Sequence, residues 1–214
     1  MKKIILALDI YDLKKTRELI DETAEYIDIF KVGPILFLQS GKEIIKFIND
    51  MGKKVFLDLK FHDIPATVNR CVESARELGV YSLTVHSIGG EEMLKAAASV
   101  KNRPKIWAVT VLTSQVALPD EVLKRARLAK NCGADGVISS PLEIISIKKE
   151  FGNSFEVITP GIRLAESDDD QKRVATPQKA IKEGADFIVI GRPIIEAPSP
   201  KEAARNIALS IERV

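Results

Sequence analysis

Short apolar runs recur along the chain, and each is followed by a longer stretch with a helical period. The runs are Ile4–Asp9, Ile27–Gly33, Lys54–Lys60, Ser82–His86, Lys105–Thr113, Gly136–Ser140, Glu156–Ile162 and Phe187–Arg192. Several are apolar at successive positions, as in Phe187-Ile188-Val189-Ile190, which suits strands covered on both faces. Between them the spacing changes. Val68, Val72 and Ala75 fall at i, i+4, i+7, and Ala204, Ile207, Ala208 and Ile211 at i, i+3, i+4, i+7, each marking one face of a helix. Gly52, Gly79, Gly133 and Gly184 each end a helical pattern just before a new run, where a left-handed C-cap is needed. Gly133-Ala134-Asp135 and Gly184-Ala185-Asp186 are almost the same turn used twice.

Eight strands alternating with eight helices predict a parallel sheet with crossover helices. An open doubly wound sheet competes with this, but it usually carries a glycine-rich loop after its first strand. Asp9-Ile10-Tyr11-Asp12 stands there instead. Eight units in 214 residues favour an α/β fold with a closed (β/α)8 TIM barrel, one domain over residues 1–214.

Composition narrows the partners. Thirty-two basic and 30 acidic residues are mixed along the chain, and aromatic residues make up 6% with one Trp. Nothing there resembles a basic stripe or a base-stacking platform, so no nucleic-acid partner is expected. The apolar start Ile4-Ile5-Leu6-Ala7-Leu8 is broken by Asp9, too early for a signal peptide. No apolar run approaches the roughly 20 residues that span a bilayer. A cytoplasmic protein with no membrane partner is expected, with Cys71 and Cys132 as two buried free thiols.

In this fold the strand C-termini and the loops after them build the site. The predicted strand ends carry Asp9, Lys31, Asp58 and Lys60, His86, Thr113, Ser139-Ser140, Pro160-Gly161 and Gly191-Arg192. Charges on apolar strands need one another or a ligand. Alternation puts Asp58 and Lys60 on one face of their strand, with Asp63 in the turn beyond. Two carboxylates beside an ammonium keep it charged and aim its proton. A buried ion pair bracing the barrel is the bland alternative, and the position at a strand end favours a site. Gly191-Arg192 and Arg163, beside glycines on adjacent strand ends, predict a phosphate site. Arg163 to Thr176 has the length of a lid, with Arg163 and Gln171 expected to turn inward and the three aspartates 168–170 to stay solvated. His62 and His86 lie on different units, no cluster shows metal-ligand spacing, and no metal site is expected.

These residues resemble the orotidine 5′-monophosphate decarboxylase family. The likeness runs through Leu8-Asp9, Lys31-Val32-Gly33, Asp58-x-Lys60-x-x-Asp63-Ile64-Pro65-x-Thr67, Ala108 to Ser114, Thr159 to Arg163, Asp170 to Val174 and Gly191 to Ile194. The resemblance implies a cofactor-independent lyase acting on orotidine 5′-monophosphate in pyrimidine biosynthesis. It implies that Lys60 protonates C6 of the pyrimidine, that Asp58 stands against the substrate carboxylate, and that Lys31 braces the array and, with Asp9, holds the ribose. Thr113 would meet the pyrimidine edge, and Pro160, which the likeness includes, would be a binding residue. Arg163, Gln171, Gly191 and Arg192 would hold the phosphate. Asp63, Ile64 and Thr67 would be lent across a homodimer interface.

Two alternatives stay open on the residues themselves. A magnesium-dependent sugar-phosphate decarboxylase or aldolase would share Asp-x-Lys-x-x-Asp, but its metal needs a carboxylate on the second strand, where Lys31 stands. A non-catalytic phosphate-ligand sensor would have no use for Lys60 between two carboxylates.

Overall fold

The computed structural model describes residues 2–164 and 174–212. Eight parallel strands close into a barrel in chain order. They are β1 (Ile4–Ala7), β2 (Ile29–Val32), β3 (Lys54–Phe61), β4 (Ser82–His86), β5 (Lys105–Val109), β6 (Gly136–Ile138), β7 (Glu156–Thr159) and β8 (Phe187–Ile190). β8 returns to β1 through Ile4↔Ile188, Ile5↔Val189 and Leu6↔Ile190. The predicted runs hold as strands, but most stop short of their predicted ends: Lys105–Thr113 is strand only to Val109. The residues beyond leave the ladder and become the rim of the barrel.

Helices α1 (Leu13–Thr23), α2 (Pro34–Ser40), α3 (Lys42–Asp50), α4 (Pro65–Glu77), α5 (Gly90–Ala98), α6 (Pro119–Asn131), α7 (Ile144–Phe151), α8 (Pro177–Lys182), α9 (Arg192–Ile195) and α10 (Pro200–Glu212) wrap it. Eight helices were expected; the described residues form ten. The β2–β3 connection breaks in two at Gly41, whose φ of 53° lies in the left-handed region, and short α9 precedes α10 after β8. Pro34, Pro65, Pro119 and Pro177 open four of the helices, where the missing N–H is no loss. The buried face of α4 is Val68, Val72 and Ala75, and that of α10 is Ala204, Ile207, Ala208 and Ile211.

The strand pleat divides the core in two. Outward residues such as Ile4, Leu6, Phe30, Val55, Leu83, Ile106 and Ile188 pack under the helices. Inward residues Ile5, Ile29, Phe56, Trp107, Ile158 and Phe187 fill the barrel. Trp107 meets Phe56 edge-on with ring centroids 4.7 Å apart, and its Nε1 donates to Glu156 Oε2 at 2.9 Å. The repeated Gly-Ala-Asp turn does the same work twice at the opposite end from the rim. Asp135 accepts from Ile106 N, and Asp186 from Val157 N, both at 2.7 Å, each clamping the first residues of a neighbouring strand.

Of the two thiols, Cys132 is buried and Cys71 only half-buried, and both are free. Cys71 lies one position off the apolar face of α4, which is why it is not fully covered. No helix among the described residues is long and apolar enough to cross a membrane.

Candidate active site

The filled barrel ends below the C-terminal rim, and above the filling lies a cavity of about 540 Å³. Asp9, Lys31, Asp58, Lys60, Thr113, Pro160, Arg163, Gly191 and Arg192 all line it. These residues come from the ends of β1, β2, β3, β5, β7 and β8, so a fold that closes in chain order is what gathers them. Gln171 lies outside the described residues, as does most of the Arg163–Thr176 segment. The base of that segment is tied down: Ile162 bridges to Ala175, and Arg163 N donates to Ala175 O at 3.0 Å. Asp63, Ile64 and Thr67 do not line the cavity of their own chain.

Four charges alternate along one wall. Lys31 Nζ lies 2.9 Å from Asp9 Oδ1 and 3.6 Å from Asp58 Oδ2, and Lys60 Nζ lies 2.9 Å from that same Asp58 oxygen. Lys31 and Asp58 are each only 8% exposed, so neither charge could be held there without the others. Burial pushes the Asp58 carboxyl up, but Lys31, then Lys60 and hydrogen bonds from Lys60 and Thr84, outweigh it and hold the carboxyl below its usual range. Asp58 is therefore an anion with one oxygen shared between two ammoniums.

Simple alternation does not explain how Asp58 and Lys60 meet. β3 pairs with β4 at Leu57↔Leu83 and again at Phe61↔Val85, with a shift of register between. Lys60 sits in that bulge at a φ of 51°. Its N–H donates to Thr84 Oγ1 at 2.8 Å, and Thr84 Oγ1 donates to Asp58 Oδ1 at 3.0 Å. Thr84 is a residue that sequence reasoning did not single out, because an uncharged threonine inside a strand gives no signal of its own.

The cavity floor was missed for a related reason. Ala7, Phe56, Val109, Ile138 and Val189 are inward strand positions that line the cavity just below the charges. They read in sequence as ordinary core. Together they form an apolar bed walled on one side by ions. Arg163 and Arg192 lie on the β7 and β8 side, with Arg163 Nη1 donating to Ile162 O at 2.9 Å.

His62 and His86, placed on separate units in the sequence, are brought together with ring centroids 5.9 Å apart. Burial lowers the affinity of His86 for a proton, helped by His62, Arg125 and Lys60, and its buried Nδ1 has no hydrogen-bond partner among the described residues. Among the described residues, no group of three or more His, Cys, Asp or Glu side chains could hold a metal ion.

A model of the orotidine 5'-phosphate decarboxylase / HUMPS family matches residues 2–207. A relative from Moorella thermoacetica, named orotidine 5'-phosphate decarboxylase, is 44% identical over 99% of this chain and 93% of its own length. One of the same name from Legionella pneumophila is 45% identical over 94% of this chain and 95% of its own. The crystal structure of orotidine 5'-phosphate decarboxylase from Lactobacillus acidophilus aligns with a TM-score of 0.85 at 35% identity, covering 99% of both chains. Matched along nearly all its length in sequence and in fold, with the charged array at its strand ends, the chain belongs to the orotidine 5'-phosphate decarboxylase / HUMPS family.

Proposed function

We propose that this protein decarboxylates orotidine 5′-monophosphate to uridine 5′-monophosphate in pyrimidine biosynthesis, without a cofactor. The observation that carries the reading is the Asp9–Lys31–Asp58–Lys60 array, which ends in an ammonium at the edge of an apolar floor. The C6–carboxylate bond breaks with its electron pair left on C6. That pair lies in the ring plane and has no π system to spread into. An ammonium fixed beside C6 stabilises it and then gives it a proton. Carbon dioxide leaves, and the neutral Lys60 amine regains its proton from water.

Asp58, kept ionised by two ammoniums, stands where the substrate carboxylate enters and is relieved as carbon dioxide departs. Lys31 and Asp9 hold the ribose, Thr113 meets the pyrimidine edge, and Pro160, which lines the cavity, is a further binding residue. Arg163, Arg192 and the backbone at Gly191 take the phosphate, with Gln171 from the neighbouring segment. Phosphate binding at a distance supplies energy that is used at the ring. The 1–214 barrel is one catalytic domain of a cytoplasmic enzyme.

The active form is a homodimer in which Asp63, Ile64 and Thr67 reach the neighbour's site. The exposure of Asp63 and Ile64 supports this. Asp63 makes no ion pair among the described residues, and Ile64 is 67% exposed. Ile88, Val116 and Leu118, on the loops after β4 and β5 at the same end of the barrel, are exposed as well, and exposed apolar side chains on adjoining loops suit an interface. Magnesium-dependent sugar-phosphate chemistry is disfavoured by Lys31, whose ammonium occupies the space between Asp9 and Asp58 that a cation would need.

The test is loss of orotidine 5′-monophosphate by ultraviolet absorbance in excess EDTA. Conversion to uridine 5′-monophosphate is expected. No conversion, with magnesium-dependent turnover of a keto-sugar phosphate instead, would overturn the reading.

A further inference from the structure

Leu57 pairs with Leu83 and Phe61 with Val85, so four steps along β3 face two along β4. Thr84 is the single β4 residue opposite the bulged Asp58-Leu59-Lys60. Lys60 there is left-handed, a conformation costly for any residue with a Cβ, and its N–H is turned out of the regular ladder. Such a group needs an acceptor, and Thr84 Oγ1 provides it at 2.8 Å. A threonine hydroxyl has one proton to give. With an N–H donating to it on one side, that proton goes to Asp58 Oδ1, 3.0 Å away. Asp58 Oδ2 in turn accepts from Lys60 Nζ at 2.9 Å. The ring closes, with Lys60 tied at its backbone through Thr84 and at its ammonium through Asp58. Thr84 is fully buried, so bulk water cannot take its place.

We propose that Thr84 is a positioning residue for the decarboxylation: it fixes the bulged backbone of Lys60 and the plane of the Asp58 carboxylate, and so aims the ammonium into the cavity. It acts only through these two residues. The inference rests on the decarboxylase reading of the site.

The experiment compares Thr84→Val and Thr84→Ser with the unaltered protein, each confirmed folded by circular dichroism. Three quantities are read: kcat and KM for orotidine 5′-monophosphate, binding of uridine 5′-monophosphate, and the titration of the Asp58 carboxyl by carbon-13 NMR. Thr84→Val, close in shape but unable to donate or accept, should lower kcat about tenfold or more through loss of a charge-assisted bond. KM and product binding should move by less than about threefold, because this change spares groups that bind substrate uniformly. Asp58 should titrate at higher pH than before, and Thr84→Ser should restore both rate and titration. Should the valine variant fail to fold, Thr84→Ala, which also can neither donate nor accept, carries the same expectation. An unchanged kcat, a serine variant as impaired as the valine one, or product binding lost in step with kcat would each overturn the role. If the unaltered protein turns nothing over, the decarboxylase reading falls, and the Asp58 titration still decides Thr84: a midpoint that valine does not move sinks it.

Discussion

Lys60 Nζ lies 2.9 Å from Asp58 Oδ2 although the strand that carries both is bulged between them. The contact is made by a left-handed lysine, and that conformation would not persist unless its surroundings imposed it. An ammonium held in this way is placed for proton delivery. On the proposed mechanism, replacing Lys60 by alanine removes both the cation that stabilises the carbanion and the proton that quenches it. Taking the usual sizes of those two effects, kcat should fall by at least about ten-thousand-fold, while uridine 5′-monophosphate still binds. Stopped-assay rates and calorimetric binding on the same preparation check this, and near-normal turnover would end the role given to Lys60.

Asp58 links the site to acid stability. Burial raises its carboxyl, and Lys31 and Lys60 more than reverse that, so its folded value lies below its ordinary 3.8. A carboxyl lowered on folding contributes stability that is complete above its unfolded value, about 3.9, and is lost as pH falls through the folded one. Asp58→Asn has no such titration. The difference in thermal midpoint between the two proteins should therefore be constant from neutral pH down to about 4 and shrink below it. A difference that stays constant into strong acid would mean that Asp58 is not held ionised.

Much of this was legible in the sequence, and the parts that were not share a cause. Helix faces such as Val68, Val72 and Ala75 could be read because their period is set locally. The charged rim could be read because Asp9, Lys31, Asp58 and Lys60 are conspicuous on apolar strands. Phe56, Val109, Ile138 and Val189 were not, since a residue lining a cavity and one buried beneath it look alike until the barrel closes. The β3 bulge was hidden for the same reason: period-two alternation predicts the correct face for Asp58 and Lys60 by a path the backbone does not take. His62 and His86 meet only because β3 and β4 are neighbours.

Gly136 tests the packing of the barrel rather than its chemistry. A Cβ on this residue would lie 2.4 Å from Glu156 O and 3.0 Å from Glu156 C, backbone atoms that cannot swing aside. Gly136→Ala should therefore destabilise the protein by about 1–3 kcal/mol, seen as a lower urea midpoint. Per folded molecule, kcat should be unchanged, because the site lies at the other end of the strands. Equal stability would show that β6 and β7 can separate more easily than their register suggests.

Arg163 and Arg192 line the β7 and β8 side of the cavity, where the proposed function places the phosphate. Removing either should act mainly on kcat/KM, by about ten- to hundredfold for a lost charge-assisted contact. The double variant should discriminate poorly between orotidine 5′-monophosphate and orotidine. If the single variants leave kcat/KM for the phosphorylated substrate unchanged, the phosphate is held elsewhere.

Asp63 is exposed and donates nothing to the cavity of its own chain, and its only hydrogen bond among the described residues is from Ile64 N at 2.7 Å. If it completes the neighbour's site, then Asp63→Asn and Lys60→Ala damage different halves of one constellation. Each protein alone should be nearly inactive. Mixed in equal amounts and allowed to exchange, half the dimers become hybrids, and each hybrid has one site with both Lys60 and Asp63 intact and one with neither. Activity should then return to about a quarter of the unaltered level, as the arithmetic of a two-fold interface requires. Mixing without any recovery, under conditions where subunit exchange is shown by mass spectrometry, would place Asp63 outside the site and leave the four-charge array to act within a single chain.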